Sequence, residues 1–268
     1  MDLPLNRFKR AMASGEVQYG LWLGLPDRTA AEIAAAAGFD WLLIDHEHAP
    51  FEVTDILAHL QVLAAYAVAP VVRPVDANPS LLKKLLDIGV QTFLVPMVDT
   101  PVQAQSLVRA LRYPPAGIRG LGTSLARAAA WGQAPGYVQR ANEEICLLVQ
   151  VETVEALENL GRILAVEGVD GVFIGPSDLS ASMGYVGDPG HPEVVDAVSA
   201  GLRAIAAAGK FAGVLCIDPD LAGVYRACGA NFIGVGVDTL ILAQGARRLA
   251  RSFKPGLSPA HKTTPSGY

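Results

Sequence analysis

Eight short runs of Val, Ile, Leu and Phe alternate along this chain with eight longer Ala/Leu-rich stretches of helical period. The short runs are Tyr19–Leu23, Trp41–Asp45, Pro70–Arg73, Thr92–Pro96, Cys146–Glu152, Gly171–Ile174, Phe211–Cys216 and Phe232–Val235. They are apolar at successive positions rather than at every second one, so both faces of each strand must be buried, as in a parallel sheet. Helical stretches follow near residues 30–37, 53–65, 81–88, 102–111, 154–165, 192–208, 220–227 and 239–252. Eight strand-then-helix units in 268 residues predict one (β/α)8 TIM barrel over residues 1–253. The polar, Pro/Gly-rich residues 254–268 are expected to form a flexible tail.

The phrases AAAAGFDWLLID (34–45), LLDIGVQTFLVP (85–96) and RACGANFIGVG (226–236) share a layout: helix end, Gly, polar residue, buried strand. Gly just past a helix end tolerates the left-handed conformation that closes it. Repeated βα units explain the recurrence, and so does common loop chemistry. Residues 112–142, long and rich in Gly, Pro and Arg, have the composition of an active-site lid, with Arg119 available to an acidic substrate.

Hydrophobic residues at 51% against 18% charged exclude disorder over most of the chain. A net charge of −5 argues against nucleic acid, whose phosphates need a basic face. No apolar run reaches the roughly 18 residues of a membrane span. The start, MDLPLNRFKR, lacks the apolar core of a signal peptide, and Cys146, Cys216 and Cys228 read as reduced core thiols. A cytoplasmic protein is expected.

A barrel of this kind builds its active site at the C-terminal strand ends. There the sequence places Trp22, then Asp45-His46-Glu47-His48, Arg73, Gln150 with Glu152, and Gly175-Pro176-Ser177-Asp178. Two ionised carboxylates about 4 Å apart repel by roughly 4 kcal/mol at an effective dielectric near 20. Glu152 and Asp178, on neighbouring strands, therefore either share a proton or flank a cation. A hard divalent ion with open positions, Mg2+, Mn2+ or Co2+, suits two carboxylates. Otherwise Asp178 caps the next helix and Glu152 pairs with Arg73. His48 is a candidate general base, with Asp45 three residues earlier able to fix its tautomer. Arg73 suits an oxyanion or carboxylate, or else an ion pair with Glu47 or Asp45. His59 and His191 read as solvated or capping. Gly234-Val235-Gly236 reads as tight packing rather than a phosphate loop. None of the six lysines ends a strand, so Schiff-base chemistry is not expected. No Gly-x-Gly-x-x-Gly follows the first strand, so no nucleotide cofactor is expected.

With these residues the sequence resembles the HpcH/HpaI family of metal-dependent, class II pyruvate aldolases. The matching phrases are GLWLGLP (20–26), GFDWLLIDHEHAP (38–50), PVVRP (70–74), QTFLVPMV (91–98), RYPPAGIRG (112–120), LVQVET (148–153) and GVDGVFIGPSDLSASMGY (168–185). The resemblance implies a barrel of the phosphoenolpyruvate/pyruvate superfamily and reversible aldol cleavage of 4-hydroxy-2-oxo acids through an enolate. It implies Glu152 and Asp178 as metal ligands, Arg73 at the keto oxygen, and His48 with Asp45 in proton transfer. It puts Gln150 in the same shell as Glu152 and Asp178, and Trp22, Gln150, Gly175, Pro176, Ser177 and Leu215 are expected to bind the substrate. It also implies a hexamer, a dimer of trimers, whose last helix packs on a neighbour and whose sites are completed by a neighbour's Asp87. Where relatives often carry Gly between the Asp and Glu, this chain has His46, which bears on the choice between pyruvate and hydroxypyruvate. An acyl-CoA lyase of the citrate-lyase-like branch would need a basic groove, which the sequence does not show. A non-catalytic keto-acid-binding barrel is the remaining alternative, against which the intact Glu152, Asp178, Arg73 and His48 count.

Overall fold

The computed structural model describes residues 5–254. The elements run α1 (Arg7–Ala13), β1 (Gln18–Leu23), α2 (Arg28–Ala36), β2 (Trp41–Asp45), α3 (Val53–Leu63), β3 (Ala69–Arg73), α4 (Pro79–Ile88), β4 (Thr92–Val95) and α5 (Pro101–Leu111). Next come a 3-10 segment (Arg127–Gly132), α6 (Tyr137–Arg140) and a second 3-10 segment (Ala141–Glu144). The chain continues with β5 (Cys146–Val151), α7 (Val154–Glu158), α8 (Leu160–Leu164), β6 (Gly171–Ile174), α9 (Pro176–Ser182), α10 (Pro192–Ala207), β7 (Phe211–Leu215), α11 (Pro219–Ala227), β8 (Phe232–Val237) and α12 (Asp238–Phe253). All eight strands pair in parallel and in chain order, and β8 closes on β1. The expected (β/α)8 barrel is the fold, and each strand end agrees within two residues. The tail expected beyond Lys254 lies outside the described residues.

Strand residues alternate between two cores. Leu42, Ile44, Val72, Val149, Val172 and Ile233 face outward into the helix layer. Trp41, Leu43, Val71, Leu148, Phe173 and Phe232 face inward and fill the barrel. The interior interleaves large rings with absent side chains. A Cβ at Gly20 would overlap the Trp41 indole, and one at Gly234 would lie 2.6 Å from Trp22 Cζ3. This settles the Gly-x-Gly of β8 as packing. Helix ends follow the repeated phrases: Gly38 and Gly89 take φ of +96° and +110° just past α2 and α4.

Three expectations are corrected. The helix expected over 154–165 is two short helices, α7 and α8, meeting at Asn159. His59 is buried rather than solvated: it is 1% exposed, with Phe51 edge-on at 4.9 Å. His191, in contrast, caps α10 by accepting from Glu193 N. Third, residues 112–142 are not a lid over the mouth. They join the end of α5 to the start of β5, and helices run antiparallel to their strands, so the segment lies at the N-terminal face. Arg119 is enclosed there, with no exposed side-chain surface, paired to Asp87 at 2.9 Å and stacked on Tyr113 at 4.2 Å. It is not available to a substrate.

One element was not expected. α1 inserts Phe8 and Met12 into the bottom of the barrel, and Phe8 meets the edges of Trp41 and Phe232 at 6.4 and 5.8 Å. Among the described residues no helix is long and apolar enough to cross a membrane. Because Phe8 plugs an otherwise open end, Phe8→Ala should lower stability by about 3–5 kcal/mol in urea unfolding, with the far-UV spectrum unchanged.

Candidate active site

Inward parity on β2 and β3 brings Asp45 and Arg73 to the same level, since the two are register partners at the strand ends. Arg73 donates from Nε to Asp45 Oδ1 at 2.9 Å and from Nη2 to Oδ2 at 2.6 Å. Its third nitrogen, Nη1, lies 3.0 Å from Glu47 Oε2. The ion pairs offered as alternatives for Arg73 are thus both present. Burial would lower the Arg73 pKa, but the hydrogen bond to Asp45 and the charges of Asp45, Glu47 and Glu152 outweigh it and push it up. Trp22 lies beneath, with the guanidinium 5.8 Å from its ring. Leu215 and Trp22 sit side by side over Gly234.

Glu152, one residue beyond β5, is 1% exposed. Its Oε1 accepts the Met97 N–H at 2.8 Å, and its Oε2 accepts a short hydrogen bond from Gln150 Nε2. Gly175 opens α9 directly against it: a Cβ there would fall 2.7 Å from Glu152 Oε2. Burial raises the Glu152 pKa to about 7 against those two hydrogen bonds, and the charges of Asp178 and Glu47 add to the rise. Glu47 is likewise raised, first by burial and then by Asp45 and Asp178, against Arg73 and His48. Asp178 stands exposed in the first turn of α9, behind Pro176 and Ser177.

Three carboxylates, Asp45, Glu47 and Glu152, therefore act on one guanidinium, and the charge of Asp178 adds to the upward shift of both Glu47 and Glu152. That excess of negative charge fits a divalent cation between Glu152 and Asp178. Among the described residues no three His, Cys, Asp or Glu side chains converge to enclose a metal.

His48 is at the rim, 59% exposed, with Nε2 3.8 Å from Glu47 Oε2. Here the expectation is corrected. Asp45 reaches His48 through its backbone N–H at 3.4 Å, not through the ring, because both Asp45 oxygens serve the Arg73 fork. His46 continues the strand pairing by donating its N–H to the Arg73 carbonyl at 2.9 Å, and its Nδ1 is buried without a hydrogen-bond partner among the described residues. Asp87 is not at this mouth: it lies in the last turn of α4, at the opposite face. From the sequence Glu47 reads only as an ion-pair partner of Arg73, and Met97 is not singled out. Period-two parity from Asp45 points to Glu47; nothing comparable points to Met97.

A closed parallel barrel with this cluster at its C-terminal mouth is the architecture of a barrel enzyme. The chain belongs to the HpcH/HpaI aldolase/citrate lyase family, whose sequence profile matches residues 18–244. It is 61% identical to a hydroxypyruvate/pyruvate aldolase of Deinococcus radiodurans, over 100% of this chain and 96% of that one. It is 56% identical to a hydroxypyruvate/pyruvate aldolase of Pseudomonas aeruginosa, over the whole of both. A crystal structure of an HpcH/HpaI aldolase/citrate lyase family protein from Burkholderia cenocepacia superposes with a TM-score of 0.88 at 39% identity, covering 93% of this chain and 99% of that one.

The raised Glu152 pKa sets a pH dependence. Between the unfolded value of 4.5 and the folded value of about 7 the native state holds a proton that the unfolded state has lost. This favours folding below pH 4.5 and is lost as pH rises through 7, a change on the order of 3 kcal/mol. In EDTA, melting temperature should fall from pH 5 to pH 7.5, and Glu152→Gln should flatten much of that slope.

Proposed function

We propose that the protein is an aldehyde-lyase that reversibly cleaves 4-hydroxy-2-oxo acids to pyruvate or hydroxypyruvate and an aldehyde. The observation that carries this reading is the excess of carboxylates around Glu152, beside one clamped guanidinium, in a member of an aldolase family. Glu152 and Asp178 would hold Mg2+, Mn2+ or Co2+, which when bound supplies Lewis-acid polarisation of a 2-oxo acid.

The chain's own groups have separate tasks. Arg73 is fixed by Asp45 and Glu47, so its remaining N–H groups point at one place, where the oxygen of an enolate gains charge. Its orientation costs nothing at the moment of reaction, because the pairing is already made. Backbone N–H groups of Ser177 and Asp178, at the start of α9, take the substrate carboxylate. Trp22 and Leu215 form the apolar floor under the donor carbon, and Gln150 holds Glu152. His48, exposed at the rim beside Glu47, moves the proton to or from the aldehyde oxygen. His46 is the residue for discriminating a hydroxylated donor, since an imidazole supplies a donor and an acceptor that Gly lacks.

The assembly we infer is a hexamer, a dimer of trimers. None of the residues of α12 is buried, and Ile241, Leu242, Leu249 and Phe253 are 56–80% exposed. An apolar face of that size suits cover by a second copy. Asp87 of a neighbour then completes the mouth, held by that neighbour's Arg119. Three buried free thiols suit the reducing cytoplasm.

The test is a lyase assay with pyruvate and hydroxypyruvate as donors. Activity should vanish in EDTA and return with Mn2+, and borohydride should trap no imine. Activity that survives exhaustive chelation would overturn the reading. Asp178→Asn should weaken Mn2+ binding by about tenfold or more. His46→Gly should change the hydroxypyruvate-to-pyruvate ratio of kcat/KM by roughly 2- to 13-fold, the worth of one hydrogen bond. An unchanged ratio would remove His46 from donor choice.

A further inference from the structure

Met97 lies two residues beyond β4, at the mouth, with a φ of +54°. That left-handed conformation is uncommon for any residue with a Cβ. Packing of the side chain does not account for it, because Met97 is 49% exposed. The backbone does: its N–H donates to Glu152 Oε1 at 2.8 Å.

The turn around Met97 is tied to the Glu152 segment at every step. Val98 N–H donates to the Gln150 carbonyl at 3.1 Å. Thr153 Oγ1 donates to Asp99 Oδ1, and Asn159 Nδ2 donates to the Asp99 carbonyl at 2.9 Å. Residues 97–99 therefore form a bracket beside Glu152. Gln150 holds the other carboxylate oxygen, and Gly175 closes the third side. The φ of Met97 sets how the Pro96–Met97 peptide is turned relative to the bracket, and so where that N–H points. A strained backbone residue persists only where its surroundings over-determine it, and such residues gather at functional sites.

We propose that Met97 is a positioning residue for the cation site: its left-handed backbone aims an N–H at Glu152 Oε1 and fixes the carboxylate in its ligating orientation before the cation arrives. The inference rests on reading Glu152 as a cation ligand. It makes the backbone conformation at 97, not the methionine side chain, the feature that matters.

Mn2+ affinity of the full chain, read from the EPR signal of free Mn2+, tests this without any turnover. Met97→Gly and Met97→Asn accept the left-handed conformation and keep the N–H, so both should bind Mn2+ within about twofold of wild type. Met97→Ile is β-branched and resists that conformation, so its affinity should fall about tenfold or more. If the Ile variant does not fold, Met97→Thr carries the same branch with a smaller side chain and replaces it. Ile or Thr variants binding like wild type would overturn the proposal. So would a Gly variant as weak as Ile, which would place the effect in the side chain. Wild type that binds no Mn2+ would instead overturn the cation reading on which the proposal stands.

Discussion

The forked pair between Arg73 and Asp45 is the interaction on which the mouth depends. A buried ion pair recovers its desolvation cost only with good geometry and further hydrogen bonds. Asp45 has both. It accepts two bonds from the guanidinium and two more from the backbone N–H groups of Glu47 and His48. The same four bonds fold the strand end into the turn that carries Glu47 and His48. Removing one partner of such a pair costs about 3–5 kcal/mol, because the other is left buried and unpaired. With Asp45 and Glu47 both held by Arg73, the carboxylates of Glu152 and Asp178 are the ones that the proposal assigns to a cation.

The barrel separates its polar mouth from a second buried polar group, Asn6 with Thr92, at the opposite end by a layer of aromatic rings. Below Arg73 and Gln150 the interior is Trp22, Trp41, Phe173, Phe232 and, from α1, Phe8. Trp22 and Trp41, Trp22 and Phe173, and Phe8 with Trp41 and Phe232 pack ring against ring beneath the carboxylates. Glu152 is 1% exposed, and that burial is the main reason its pKa is raised.

How much of this was legible in the sequence follows from what each signal encodes. The eight strands were legible because strands buried on both faces are continuous apolar runs, and little else in a soluble chain is. The position of Arg73 and Glu152 at the mouth was legible because polar residues end those apolar runs, whereas Asp178 lies beyond β6 in the first turn of α9, and the roles of all three belong to the proposal. α1 was not, since only Phe8 and Met12 mark its buried side, too few for a period. Residues 112–142 were misplaced because Gly, Pro and Arg content marks a shaped loop but not its face. Chain order carries that information: a segment between a helix and the next strand lies at the bottom. The Asp45–His48 relation was misread because spacing alone cannot tell that Arg73 takes both carboxylate oxygens. Met97 left no trace, because a backbone angle on an ordinary residue has no sequence signature.

The most direct measurement is proton exchange at the pyruvate methyl group in D2O, followed by NMR with no aldehyde present. Exchange reports enolate formation alone, separate from aldol bond making. With Mn2+ or Mg2+ the wild-type protein should exchange those protons, while EDTA or Arg73→Met should stop it. Exchange that continues unchanged in EDTA, or none with the metal present, would contradict the account.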